Sequence, residues 1–339
     1  MAGSRFSENR LLHLLHDRYP AESSLVRKGI GDDAAVVRLR GAREFWVITT
    51  DTLAENVDFR RAWITPRQLG CKALSVNLSD LAAMGARPRF FTVSLAMPSG
   101  IPEKWVLDFH DGLTVKGHLL GAHLIGGDLS RSEDGIVISI AAIGESLNRK
   151  ILYRSGGKAG HLLYVTGVLG KSAAGLKLLQ KGGSRSRMRR QEEAIKAHLG
   201  PEPRCSAGLW LAQSGLASCM MDLSDGLSMD LPRLCAASGA GAEIRISDLP
   251  VFHESAMWGC DPVELALHGG EDFELLFAVP EPKRALLEKR YPASLPPISK
   301  IGKMTGDLGK VWVIAAGDKR TRLPELGYDH FAGHSRSSR

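Results

Sequence analysis

The chain has 339 residues, of which 44% are hydrophobic and 24% charged, and a formal net charge of +7. That apolar content excludes a disordered or fibrous protein, and the length suggests two domains with a substantial core. No apolar run is long enough to cross a bilayer, and MAGSRFSENRLLHLLHDRY lacks the unbroken apolar segment of a signal peptide, so a cytoplasmic protein opening on a short amphipathic helix is expected.

In chain order, apolar or alternating runs predict strands at Ala34 to Val37, Phe45 to Thr50, Phe90 to Ala96, His123 to Ile125 and Ile136 to Ile143. Thr65-Pro66 is a helix start, a capping hydroxyl followed by Pro in the first turn, and Gly85 with Pro88 is a stop. A second helix runs from Pro102 to Leu120 and ends at Gly121. The polar, Gly-rich NRKILYRSGGKAGH, Asn148 to His161, marks a domain boundary, giving domains 1–148 and 149–339. Beyond it, strands and helices alternate through HLLYVTG, a helix from Lys171, a basic helical stretch to His198, a helix from Pro203, SCMMD and SDGLSMDLPRLCAAS. AEIRI, a helix from Pro262, FELLFAV, PKRALLEKRY and strands near Ile298 and Val311 complete a mixed α/β (α+β) architecture.

Two features invite a function that closer reading withholds. VTGVLGKSAAGL, Val165 to Leu176, resembles a Walker A loop, but Gly167 lies two residues too close to Gly170 and Val165 stands where the first Gly belongs. It reads better as a strand ending in a Gly turn that opens a helix. Much of the excess positive charge sits in KGGSRSRMRR, Lys181 to Arg190, and in the tail HSRSSR; no aromatics are interleaved for base stacking, so no nucleic-acid partner is expected. A basic surface also suits an anionic, phosphorylated substrate. The cysteines, Cys71, Cys205, Cys219, Cys235 and Cys260, form no C-x-x-C pair and are expected to be reduced packing residues.

Aspartates recur where apolar strands are expected to end: Asp32 and Asp33 in GIGDDAAVV, Asp51 in WVITTDT, Asp128 in LIGGDLS, and Asp222 and Asp225 in MMDLSDG. Ligand sites of α/β folds collect at such ends. One Asp there is commonly a cap or turn former, but a set on one chain suggests convergence. On the helix from Thr65, Leu69, Ala73, Val76, Asp80 and Met84 share one face, placing a carboxylate in line with an apolar stripe. A buried carboxylate must be paired, protonated or bound to metal. The other candidate donors, hydroxyls and carbonyls of Thr49, Thr50 and Ser224, are hard oxygens that favour Mg²⁺, Mn²⁺ or Ca²⁺. Mg²⁺ is commonly completed by substrate phosphates, which points to phosphoryl transfer.

Together GIGDDAAVV, TTDTLAENVDF, CKALSVNLSDLAAMGARP, LIGGDLSRS, YRSGGKAG, VTGVLGKSAAGL, MDLSDGLSMDL, HGGEDFELLF and GYDHF span Gly29 to Phe331. In that order they resemble the thiamine-monophosphate kinase family, within the superfamily of aminoimidazole ribonucleotide synthetase and selenophosphate synthetase. The resemblance implies a two-domain fold and a homodimer in which N-terminal sheets pair. It also implies direct, in-line γ-phosphoryl transfer from ATP, as co-substrate, to thiamine monophosphate with several Mg²⁺ ions. It implies Asp33, Thr49, Thr50, Asp51, Asp80, Asp128, Asp222 and Asp225 as metal ligands, with Asp51, Asp80, Asp128 and Asp222 catalytic through the metals. Asp32 could share or exchange the role given to Asp33, but neighbours on a strand face opposite sides, so the two are not expected to bind one metal through their side chains. Gly127, Asp128, Arg154 and Ser224 match nucleotide-contacting positions, and Asp58, Glu271 and Tyr328 the thiamine-phosphate side. The alternatives are another ATP-using enzyme of the superfamily, including the hydrogenase-maturation type, and more remotely a non-catalytic RNA-binding module.

Overall fold

The computed structural model describes residues 8–21, 23–182 and 189–328. Most of the Arg-rich stretch (183–188), the tail with HSRSSR, and Asp329 to Phe331 of GYDHF lie outside the described residues. The opening helix α1 covers Glu8–Arg18.

The first half is a six-stranded sheet of β1 (Val26–Lys28), β2 (Ala35–Val37), β3 (Trp46–Ala54), β4 (Arg87–Met97), β5 (His123–Arg131) and β6 (Val137–Glu145). They are ordered β1-β2-β3-β6-β4-β5. All pairs are antiparallel except β4–β5, which needs a crossover helix between its strands. That crossover is α3 (Glu103–Leu120), closed by Gly121 in the left-handed conformation.

Helix α2 (Pro66–Ala83) starts as its sequence dictates. The Thr65 hydroxyl accepts the Gln68 N–H and the Gln68 side chain accepts the Thr65 N–H, a reciprocal capping box with Pro66 in the first turn. The expectation of a single apolar stripe needs correction. α2 is buried on nearly every side, polar Lys72, Ser75, Asn77 and Ser79 included, because it packs against α3, the first sheet and strands of the second half. Its approach to α3 leaves no room for side chains at the crossing: a Cβ on Gly70 would lie 2.1 Å from the Phe109 carbonyl oxygen, and one on Gly112 would lie 2.0 Å from that of Arg67.

The second half is a seven-stranded sheet of β7 (Leu162–Thr166), β8 (Cys219–Leu223), β9 (Gly241–Arg245), β10 (Glu274–Val279), β11 (Ile298–Thr305), β12 (Val311–Ile314) and β13 (Arg320–Arg322). Its order is β13-β12-β9-β11-β7-β10-β8, with only β12–β9 parallel. Helices α4 (Lys171–Gln180), α5 (Arg189–Leu199), α6 (Cys205–Ser214), α7 (Leu227–Ser238), α8 (Pro262–His268) and α9 (Arg284–Arg290) connect and cover it. One apolar cluster joins α2 and the first sheet to Tyr164, Phe277 and α6, so the two sheets share a core.

Two aspartates expected at strand ends lie inside strands. Asp51 stands mid-β3 opposite Ile140, and Asp128 stands mid-β5 opposite Ser94. The Gly126-Gly127 pair, beyond the predicted strand end at Ile125, continues β5 because parallel pairing to β4 carries it through to Arg131. A Cβ on Gly127 would meet the Val93 carbonyl oxygen at 2.1 Å, so the glycine serves close strand approach. Asp32 and Asp33 lie in a bend before β2, so strand alternation does not separate their roles.

Candidate active site

Three chain segments bring carboxylates together: the bend before β2 supplies Asp33, α2 supplies Asp80 and β8 supplies Asp222. One carboxylate oxygen from each lies within 4.8 Å of the others. Asp33 and Asp222 are buried, at 8% and 3% exposure. Thr49 on β3 donates its hydroxyl to Asp80 Oδ2 at 2.5 Å, and Ser79 donates to Asp222 Oδ2 at 2.6 Å. Beside them the Asn77 side-chain oxygen accepts the Asp51 N–H at 2.9 Å, locking β3 to α2.

Like charges this close oppose ionisation. Burial, then the charges of Asp51, Asp222 and Asp33, push the Asp80 carboxyl well above its ordinary range against the Thr49 bond. Burial and Asp33 do the same to Asp222, against the pull of Ser79. Burial and Asp33 raise Asp32 to about 6, opposed by the Arg154 N–H and the charges of Lys28 and Arg154. Arg154 supplies a cation at the rim: its Nε donates to Asp33 Oδ1 at 2.9 Å and its Nη2 to the same oxygen, while its backbone N–H donates to Asp32 Oδ1 at 3.1 Å. Asp33 Oδ2 is buried with no hydrogen-bond partner. An all-oxygen set with an orphaned carboxylate oxygen fits a hard divalent cation.

Other expected site residues fall elsewhere. The Thr50 side chain is exposed on the face of β3 opposite Thr49 and Asp51, which leaves its carbonyl as the group that could serve the cluster. Asp225 lies outside the three-carboxylate group and pairs with Arg233 at 2.5 Å. Gly127 and Asp128 lie on β5, which is exposed at every position. Ser224 and Asp225 form the turn after β8, and both donate backbone N–H groups to Asp230 Oδ2 at 3.1 Å. Sequence reading missed Asp230, whose carboxyl is raised to about 7 by burial and Asp225. The half-buried Tyr328 reaches the same turn, its N–H donating to the Asp225 carbonyl.

On the other side, the Asp58 carboxylate accepts the Ala54 N–H at 2.8 Å. Glu271, at φ +63°, donates its N–H to the Ser224 carbonyl at 2.6 Å, so it adjoins the turn after β8. Its carboxylate meets the buried Lys72 of α2 and, at 2.9 Å, His198 Nδ1 of α5. Burial works against its charge, but Lys72 and the His198 hydrogen bond outweigh it and hold the carboxyl at about 2. Neither Lys72 nor His198 carried a sequence signal.

VTGVLGKSAAGL forms the junction of β7 and α4, as the turn reading requires. Asp272 occupies the first amides of α4, accepting from Gly170 at 2.6 Å and Ser172 at 3.2 Å, while Lys171 Nζ lies 5.5 Å from the Phe252 ring centre. The anion seat of this helix already holds a carboxylate of the protein.

Family models of AIR synthase related protein match the chain twice, the N-terminal domain over residues 31–146 and the C-terminal domain over 158–314. Thiamine-monophosphate kinase of Escherichia coli (strain K12) is 39% identical over 98% of this chain and 99% of its own. The Bacillus subtilis (strain 168) enzyme of the same name is 35% identical over 95% and 98%. Among solved structures, AaThiL complexed with AMPPCP and TMP superposes with a TM-score of 0.82 at 31% identity, covering 96% of this chain and 97% of that one. With similarity extending over nearly the whole length of both partners, the chain belongs to the thiamine-monophosphate kinase family.

Proposed function

We propose that the protein transfers the γ-phosphoryl group of ATP to thiamine monophosphate, yielding ADP and thiamine diphosphate by direct in-line displacement. The observation that carries this reading is the Asp33–Asp80–Asp222 cluster with its orphaned Asp33 oxygen, on a chain whose relatives bear the name thiamine-monophosphate kinase. The complex with AMPPCP and TMP in a 31% identical neighbour supports ATP as co-substrate.

In this reading Asp33, Thr49, Thr50, Asp51, Asp80, Asp128, Asp222 and Asp225 hold Mg²⁺, Thr50 through its carbonyl. Bound Mg²⁺ supplies positive charge to the triphosphate and the moving phosphoryl group. Arg154 adds a guanidinium beside Asp33 that can meet phosphate oxygens. Gly127, Asp128 and Ser224 contact the nucleotide, while Asp58, Glu271 and Tyr328 line the acceptor side. The protein's contribution is alignment and charge, the terms on which phosphoryl transfer depends.

Under the same proposal residues 1–148 and 149–339 form two domains, the protein is a homodimer joined through the first sheet, and it resides in the cytoplasm. Support for the dimer is the edge position of β5, whose Leu124, Ile125 and Leu129 are exposed beside unpaired backbone. No helix among the described residues is long and apolar enough to cross a membrane.

The test is purified protein with Mg²⁺ and ATP, offered thiamine monophosphate and, separately, free thiamine. The expected product is thiamine diphosphate from the monophosphate alone. Folded, metal-loaded protein that makes none at saturating substrate would overturn the assignment.

A further inference from the structure

We propose that Lys72 is a positioning residue for the acceptor substrate, fixing the Glu271 carboxylate, together with His198, across the junction between the two halves of the chain. The inference rests on the reading above that Glu271 faces the acceptor.

Lys72 is a residue whose burial needs a reason. It is 1% exposed on α2, in a core where an ammonium is expensive unless its donors are used. Its Nζ lies 3.0 Å from Glu271 Oε1 and 3.1 Å from Oε2, so it straddles both oxygens, and 3.4 Å from the Asp58 carbonyl oxygen. Asp58 and Glu271 are 213 residues apart in sequence and are the two acidic positions placed on the acceptor side. One ammonium ties them together.

The second tie comes from α5. His198 Nδ1 lies 2.9 Å from Glu271 Oε2 and 3.2 Å from the Ser172 hydroxyl of α4. Glu271 is therefore gripped from α2 and α5, while its own N–H is fixed to the Ser224 carbonyl. Its side chain keeps 27% exposure. An ionised carboxylate has about four lone-pair directions, and this grip leaves capacity for a further donor. Such a group, with its rotamer and charge fixed beforehand, presents an acceptor to a cationic or N–H-bearing part of a substrate without ordering cost at binding.

A positioning role predicts a particular kinetic split. Lys72→Met raises the KM for thiamine monophosphate by about tenfold or more, with kcat at saturation within about threefold of the parent and the KM for ATP unchanged. Glu271→Gln raises the same KM, and adding Lys72→Met to Glu271→Gln changes it little further, because Lys72 acts through Glu271. Circular dichroism and a thermal melt establish that each variant is folded. If Lys72→Met does not fold, His198→Gln carries the same test: a selective rise in acceptor KM that vanishes on the Glu271→Gln background.

A raised acceptor KM in Glu271→Gln with parental values in folded Lys72→Met and His198→Gln would overturn the positioning role while leaving the acceptor-side reading intact. A parental acceptor KM in Glu271→Gln would overturn that reading, and the positioning role with it. Additive effects in the double variant would also overturn it, since Lys72 would then act on substrate or fold independently of Glu271.

Discussion

Asp222 on β8 and Glu274 on β10 are buried to the same extent, 3% exposed each, on neighbouring strands where Leu223 faces Glu274 and Asp222 faces Leu275. Their surroundings differ in sign. Glu274 is gripped by the Arg204 guanidinium through both oxygens and accepts the Thr166 hydroxyl at 2.6 Å, so its charge is met within the chain. Asp222 takes its hydrogen bond from the neutral Ser79 and stands among Asp33 and Asp80, with Arg154 engaged on Asp33. Equal burial with opposite compensation separates a carboxylate whose charge is met within the chain from one that, under the proposed function, is kept for a cation supplied from outside.

The sharpest way to break this comparison is to neutralise the cluster. Asp80→Asn is expected to lower turnover on the order of a thousandfold, the scale reached when charge stabilisation at a reacting centre is removed. The same variant should leave the melting temperature of the EDTA-treated protein unchanged or higher, because one of several mutually repelling carboxylates is gone. Mg²⁺ at a hundred times its dissociation constant should stabilise the parent by about 2.7 kcal/mol and the variant by much less. A collapse of the metal-free variant in a thermal melt would instead make Asp80 structural.

Glu274→Gln tests the other side. It leaves the Arg204 charge without its bidentate partner in a largely buried place, and a stability loss of about 3 kcal/mol follows from breaking such a pair. Urea unfolding should report that loss equally with EDTA and with Mg²⁺. A loss that appeared only with Mg²⁺ would place Glu274 in the metal site and erase the distinction.

The contrast was only half visible in the sequence. Local signals carried much of the fold: Thr65-Pro66 and Gly85 bracket α2, Gly121 ends α3, and the apolar runs of β7, β8 and β10 are buried throughout. Asp80 stands out in the sequence because it lies in line with an apolar stripe, although α2 is surrounded rather than one-sided. What stayed hidden depends on partners far along the chain. The course of β5 past Ile125 is set by its pairing to β4, and β1 and β13 are three-residue edge strands. Arg204 meets Glu274 across 70 residues and Lys72 meets Glu271 across 199, separations at which no periodicity or spacing links a charge to its counter-charge.

The smallest expected effect concerns the segment that most resembles a nucleotide loop. Gly167 there, at φ +62°, leaves space for Glu274: a Cβ would lie 1.9 Å from Glu274 Oε1. Gly170 at φ +79° opens α4, and the amides that a phosphate would need are bonded to Asp272. A phosphate seated there would have to displace a carboxylate holding two N–H groups, and Lys171 is turned toward Phe252 instead. Lys171→Ala should therefore cost no more than about 2 kcal/mol, the scale of a cation–π contact between a half-buried lysine and a buried ring, and leave the KM for ATP unchanged. If ATP binding were lost in a folded Lys171→Ala protein, the helix amides and this lysine would have to be a phosphate site after all. The acidic cluster would then share the triphosphate with a loop whose amides the protein's own Asp272 occupies.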